Sequence, residues 1–376
     1  MQPVRYRFFD QPAEIAAYLQ SLHAEPELAI DLEADSLFSY PEKVCLVQIS
    51  TRKANAILDP LIGGDGLGPL GALLADGAVA KVFHGGGYDI RLLKKVHAFS
   101  VQNVADTMIA AQLAGRAQIG LSALLEEEFG VRLQKKYQRA NWSKRPLQRP
   151  MLRYAALDTA HLLPLWQRLR DELQRLGRLQ WVREEFELLE DVEPAADGRP
   201  CWFDIKGARD LLPRQRVTLQ ALVDLREATA RAWGSPPFKV LGNEVLLGWA
   251  QAPPVTSKEV LQTPRANKGI LRRLASRVLH AVREARLVSP GDCPSPRTVR
   301  RTPMTDDQRR RLRRLKIVRS NVAEGLGLDV GLLVNSASLA KLARAEPAQV
   351  PVLLTSLLKS WQQQVIGEAL LQAVRG

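Results

Sequence analysis

The chain has 376 residues, and its 53 lysines and arginines against 40 aspartates and glutamates give a formal net charge of +13. With 46% hydrophobic and 25% charged residues it holds enough apolar material for real cores, which excludes global disorder, and its length suits two or three domains. No run approaches the roughly 18 apolar residues of a membrane span, and the N-terminus lacks a signal-peptide core, so a cytoplasmic protein without membrane contact is expected.

A helical period covers Ala13 to Leu22. Short runs rich in Val, Ile and Leu, bounded by turn residues, predict strands at Leu28 to Leu32, Cys45 to Ser50, Ala54 to Leu58 and Ala80 to His84. Helical periodicity returns at Leu67 to Leu74, Ile90 to Val96, Met108 to Leu113 and Leu121 to Phe129, then runs from Met151 to about Leu189. Strands interleaved with helices in this way predict a mixed α/β sheet.

Two proline-bearing stretches, Asp191 to Lys206 and Ser289 to Pro303, act as linkers and divide the chain into 1–192, 207–288 and 304–376. The last two pieces are helical throughout. At an offset of 93 they also match each other: Gln215 and Arg216 fall on Gln308 and Arg309, Leu222 on Leu315, Arg226 on Arg319 and Ala230 on Ala323. A tandem repeat explains this, although helices rich in Leu and Arg share some positions through composition alone.

Charge divides along the same line. Residues 1–200 are nearly balanced and slightly acidic, and the whole positive excess lies in 201–376. A domain-sized basic excess is the footprint of a polyanion partner, because each neutralised phosphate releases counterions. Cys45, Cys201 and Cys293 lie too far apart for a disulfide framework or a zinc site.

The first chemical signal is Ile30-Asp31-Leu32-Glu33-Ala34-Asp35, where the strand period places three acids on one face. Like charges so close ask for a cation, although a solvated strand end has the same pattern. The second is Asp89, after three glycines at a strand-to-helix junction; there a helix cap is the simple alternative. The third is Tyr154 with Asp158, on one helical face at i and i+4. Together Asp31, Glu33, Asp89 and Asp158 form an oxygen-ligand set suited to two Mg²⁺ or Mn²⁺ ions. Asp106 is most simply a helix cap, Asp35 has no motif match, and His84 and His161 suit structural roles better than ligation of a hard cation.

The segments IDLEADS, VFHGGGYDIRLL and YAALDTAHLL resemble the three exonuclease motifs of the DEDD superfamily, and with KKYQRANWSKRPL they resemble ribonuclease D. Tyr154, four residues before Asp158, places the resemblance in the tyrosine branch. Residues 211 to about 288 resemble a helicase-and-RNase-D C-terminal (HRDC) domain, and 304–376 a divergent second copy. The resemblance implies a ribonuclease H-like α/β exonuclease domain followed by two small all-α HRDC-like domains. It further implies two-metal 3′-to-5′ hydrolysis of RNA that releases nucleoside 5′-monophosphates, with Asp31, Glu33, Asp89 and Asp158 as metal ligands and Tyr154 orienting the attacking water. By the same resemblance the substrates are tRNA precursors or other structured RNA. One departure is Gly85, where many relatives carry Asn.

Eight basic residues and no acid lie between Phe129 and Leu157. With aromatic rings among them, Lys135, Lys136, Arg139, Trp142, Lys144 and Arg145 form a candidate single-strand path; a solvated loop anchored by its rings is the alternative. Arg310, Arg313 and Arg314, in the densest basic cluster, are candidate phosphate contacts. Deleting 207–376 is then expected to weaken RNA binding while hydrolysis persists. Rival readings are a DNA exonuclease of the same superfamily and a catalytically silent RNA-binding scaffold. No protein partner is indicated.

Overall fold

The structure, a computed structural model, describes residues 4–62, 66–133, 135–194, 200–293 and 303–375. Among these residues, no helix is long and apolar enough to cross a membrane.

Six strands form one sheet: β1 (Arg7–Phe9), β2 (Glu27–Ala34), β3 (Val44–Ser50), β4 (Asn55–Leu58), β5 (Ala80–Phe83) and β6 (Val104–Asp106), in the order β1-β4-β3-β2-β5-β6. β3 runs antiparallel to β4, while β1 pairs parallel with β4, and β5 parallel with both β2 and β6. All seven residues of β3 are buried, as expected of a central strand covered on both faces, whose sequence VCLVQIS is almost continuously apolar. The edge strands β1 and β6 have three residues each, too few to show a period, and the sequence gives no sign of them.

Helices α1 (Pro12–Ser21), α2 (Gly68–Ala75), α3 (Gly87–His97), α4 (Thr107–Ala114), α5 (Leu121–Phe129), α6 (Arg149–Ala160), α7 (Leu162–Arg175) and α8 (Leu179–Glu190) accompany the sheet. The single helix expected from Met151 to about Leu189 is therefore three. Pro164 sits in the first turn of α7, where a missing N–H costs little, and Gly177 takes a positive φ of 68° between α7 and α8.

The C-terminal region is helical: α9 (Pro213–Trp233), α10 (Pro237–Val240), α11 (Asn243–Gln251), α12 (Ser257–Leu261) and α13 (Lys268–Leu287), then α14 (Asp306–Leu326), α15 (Val330–Leu333), α16 (Ser336–Arg344), α17 (Val350–Leu357), α18 (Ser360–Gln362) and α19 (Glu368–Arg375). The repeat is visible helix by helix, because α14 to α17 each begin 93 residues after α9 to α12. Detail repeats too. Arg226 donates to the Leu241 carbonyl at 3.3 Å, and its counterpart Arg319 donates to the Val334 carbonyl at 2.8 Å. The copies diverge at the end: α13 is unbroken, whereas a π-turn at Gln363–Gly367 separates α18 from α19.

The chain forms two compact units that do not follow the linkers. One comprises Met1–Glu33, Val44–Pro194 and Arg301–Gly376; the other comprises Ala34–Lys43 and Ala195–Arg300. In the second, Trp202, Leu219, Leu246, Leu274 and Val278 form the core, and the Tyr40 hydroxyl donates to Glu227. In the first, a single apolar core joins Leu113, Leu125, Leu165 and Phe186 to Leu315, Leu339, Leu354 and Leu370. The rings of Trp181 and Trp361 stack at 5.1 Å, and Glu185 accepts from the Trp361 indole at 2.8 Å. This shared core overturns the expectation that the catalytic part stands without residues 207–376, since their removal would leave its apolar face in water.

Candidate active site

Burial of Leu28, Ile30 and Leu32 turns Asp31 and Glu33 to the other side of β2, as the strand period requires. Parallel pairing of β2 with β5 carries these acids toward the turn that follows β5, where α3 begins and places Asp89 in its first turn. Asp158 comes from α6, which the 2.7 Å hydrogen bond between Thr159 and Ser50 ties to β3.

Carboxylate oxygens of Asp31, Glu33 and Asp158 all lie within 4.8 Å of one another. Asp89 is 8% exposed and stands outside that trio, yet its charge bears on Glu33, and that of Asp31 bears on it. Burial pushes Asp31 up to about 7, against an ordinary 3.8. Burial, then the neighbouring acids, also raises Glu33, Asp89 and Asp158 well above the usual carboxylate range. Acids so crowded repel one another unless a cation neutralises them.

Asp31, Glu33, Tyr154 and Asp158 open on a cleft of about 500 Å³ that is also lined by His84, Gln118 and Gln138. Among the described residues lining it there is no lysine or arginine. An all-carboxylate donor set with no basic partner fits a hard divalent cation. Beside it, Tyr154 hydrogen-bonds Asp158, and burial with the surrounding carboxylates drives its phenol far above its ordinary pKa, so it stays neutral.

The glycine turn has an organiser the sequence conceals. Asp106 does cap α4, accepting from the N–H groups of Met108 at 2.8 Å and Ile109 at 3.2 Å. The same carboxylate also accepts from Gly85 at 3.0 Å and Gly86 at 2.8 Å, and so holds the turn that leads into Asp89. Pairing of Phe83 with Asp106 across β5 and β6 brings them together, a relation no local pattern displays. Gly85 has φ +70°, a left-handed conformation that glycine adopts without strain.

Asp35 closes a turn by accepting from the Lys43 N–H at 2.8 Å. His84 bonds Thr107 at 2.9 Å, and the His161 ring lies against Phe129 at 5.9 Å.

Two candidate RNA contacts are corrected. Trp142 is 1% exposed, its ring stacked on Tyr154, so no base can reach it. Arg145 is turned inward against the buried carboxylate of Asp59. Lys136, Arg139 and Lys144 are exposed, with the Lys136 ammonium over the Tyr137 ring; Lys135 lies in the same turn, its side chain outside the described residues. On α14, Arg310 pairs with Asp307, and Arg314 donates to the Ala373 carbonyl at 3.1 Å, while Arg313 is exposed.

Residues 6–174 match the 3′-5′ exonuclease family and residues 215–282 the HRDC domain family. Ribonuclease D of Granulibacter bethesdensis is 31% identical over 370 residues, spanning 96% of this chain and 91% of that protein. Ribonuclease D of Pseudomonas paraeruginosa is 26% identical over 96% of both. Among solved structures, RNase D of Escherichia coli, described as an exoribonuclease involved in structured RNA processing, superposes with a TM-score of 0.78 at 26% identity over 99% of each chain. The catalytic core of RRP6 from Trypanosoma brucei superposes with a TM-score of 0.67 at 29% identity, covering 75% of this chain and 80% of that one. A likeness of this degree, carried through the full length of both sequence and fold, makes the chain a member of the ribonuclease D family of 3′-to-5′ exoribonucleases.

Proposed function

We propose that this metal-dependent 3′-to-5′ exoribonuclease removes nucleoside 5′-monophosphates one at a time from the 3′ ends of tRNA precursors or other structured RNA in the cytoplasm. The observation that carries the site assignment is the convergence of Asp31, Glu33 and Asp158 beside Tyr154 in one cleft with no lysine or arginine among the described residues lining it.

Asp31, Glu33, Asp89 and Asp158 hold two divalent cations, Mg²⁺ or Mn²⁺. When bound, these ions neutralise charge developing on the attacking and leaving oxygens of the phosphodiester. Tyr154 keeps its proton at neutral pH, so it orients the attacking water by hydrogen bonding and does not serve as its base. Exposed Lys136, Arg139 and Lys144, with Lys135, guide the single strand toward the cleft through its phosphates. Residues 207–288 form one HRDC domain, and 304–376 a divergent second copy, a reading supported by the 93-residue offset of their helices. Arg313 on α14 adds a phosphate contact.

The test is incubation with a 3′-extended tRNA precursor and Mg²⁺ or Mn²⁺, beside an EDTA control and Asp31→Asn, with products resolved by size. Stepwise shortening that both controls abolish is expected; intact RNA that still binds would favour the scaffold. A matched DNA strand in the same assay should persist far longer than the RNA.

A further inference from the structure

Arg145 lies near the end of the segment between α5 and α6, and every donor of its guanidinium is engaged. Its Nε and Nη2 reach the two carboxylate oxygens of Asp59, the latter at 2.6 Å. Nη2 also donates to the Cys45 carbonyl at 3.0 Å, and Nη1 to the carbonyls of Trp142 at 2.6 Å and Lys144 at 2.9 Å. Two of these acceptors belong to the sheet region, since Asp59 directly follows β4 and Cys45 lies in β3. The other two belong to the segment itself. Arg145 thus fastens the backbone at Trp142 to the sheet, against a carboxylate whose side chain is wholly buried.

What the fastening holds is a wall around Tyr154. The Trp142 ring stacks on it at 6.1 Å and 30°, and Tyr137, from the same segment, meets it edge-on at 5.8 Å and 63°. Helix α6 sets only the backbone of Tyr154. In a helix a tyrosine retains two accessible χ1 wells, so the placing of its hydroxyl depends on what packs against the ring. Displacing a reacting group by about 1 Å can cost about 100-fold in rate.

We propose that the Arg145–Asp59 ion pair, acting through Trp142, is a positioning device for Tyr154. It rests on the role given to Tyr154 above and extends it. Desolvating two charges is expensive, and a buried pair seldom gains stability over an apolar one. A planar fork with five donors suits fixing a carbonyl relative to a carboxylate, and lysine, a single point charge, cannot reproduce it. Arg145 is accordingly a positioning residue and does not touch RNA.

The test measures kcat and KM on a short single-stranded RNA for Arg145→Lys, Arg145→Met, Trp142→Leu and Trp142→Phe, in the wild-type and Tyr154→Phe backgrounds, with a thermal melt for each protein. In the wild-type background, Arg145→Lys should lower kcat tenfold or more while KM stays within about twofold. In the Tyr154→Phe background the same change should cost less than threefold, since the hydroxyl it positions is gone. Trp142→Phe, which keeps an aromatic face, should restore most of the rate that Trp142→Leu loses. If Arg145→Met does not fold, the lysine and tryptophan variants carry the comparison.

Equal losses in both backgrounds would overturn the proposal and leave Arg145 a merely structural residue. A raised KM with unchanged kcat would also overturn it and return Arg145 to RNA binding. Should Tyr154→Phe alone leave kcat unchanged, the role of Tyr154 fails first and the proposal falls with it, an outcome separate from the other two.

Discussion

The carbonyl oxygen of Gly327 lies 2.6 Å from the point that a Cβ on Gly115 would occupy. Gly115 ends α4 and Gly327 ends α14, both with positive φ, so the C-termini of these helices meet backbone to backbone. Gly115→Ala therefore meets two penalties, the left-handed backbone and a steric collision. Gly130, with φ +65° and open space around its Cβ position, carries only the first. Thermal denaturation should show Gly130→Ala losing about 1 kcal/mol and Gly115→Ala clearly more. Equal losses would mean that the close approach is easily relieved.

Arg178 bridges the same junction. It is 7% exposed and donates to the Leu113 carbonyl at 2.8 Å and the Leu326 carbonyl at 2.6 Å, placing a cation at two helix C-termini whose dipoles attract it. Arg178→Met should cost about 2–3 kcal/mol by leaving both carbonyls without this donor. A chain ending near residue 300 should aggregate or bind a hydrophobic dye, because the shared core loses one side. A monodisperse, fully active truncation would refute this.

Metal-free protein should lose stability as pH rises. Asp31 titrates near 7 in the folded chain and near 3.8 ordinarily, so its contribution is complete below about pH 4 and is lost as pH climbs through about 7. Glu33, Asp89 and Asp158 shift in the same direction. In EDTA the melting temperature should fall across that window. Since Mn²⁺ requires the deprotonated carboxylates, its stabilising effect should grow over the same range. Equal shifts with Mn²⁺ at pH 5 and pH 7.5 would contradict the assignment.

Asp106→Asn tests the organiser of the glycine turn. The amide would keep one acceptor and set an NH₂ group against the N–H donors that the carboxylate now satisfies. A loss of about 1–3 kcal/mol is expected, with kcat reduced tenfold or more because the start of α3 carries Asp89. Stability lost without loss of rate would confine Asp106 to capping.

Exposed Lys136, Arg139 and Lys144 predict a salt signature. Replacing all three by alanine should make the slope of log affinity against log salt shallower by about 2, at roughly 0.7 per phosphate contact on a single strand. An unchanged slope would remove this segment from the RNA path.

Much of the site was legible because its signals are local. Asp31 and Glu33 share a face by the strand period, and Tyr154 and Asp158 share one at i and i+4. The principal strands declared themselves through apolar runs, and the helical repeat through matches at constant offset that now extend over four helices. Each of these depends only on residues near one another in the chain, where backbone geometry alone dictates the neighbours.

Tertiary structure decided the rest, because burial and pairing depend on which faces meet. Trp142 among cations resembles a stacking platform until α6 covers it. Arg145 is one of eight basic residues until Asp59, 86 positions away, stands against it. Arg314 belongs to a basic cluster, yet a carbonyl of α19 occupies it. Residues 304–376 look like a separate small domain until Leu315 and Leu370 enter the core that holds Leu165. Side-chain type states what a residue can do in water; only the assembled fold determines whether water, RNA or the protein itself reaches it.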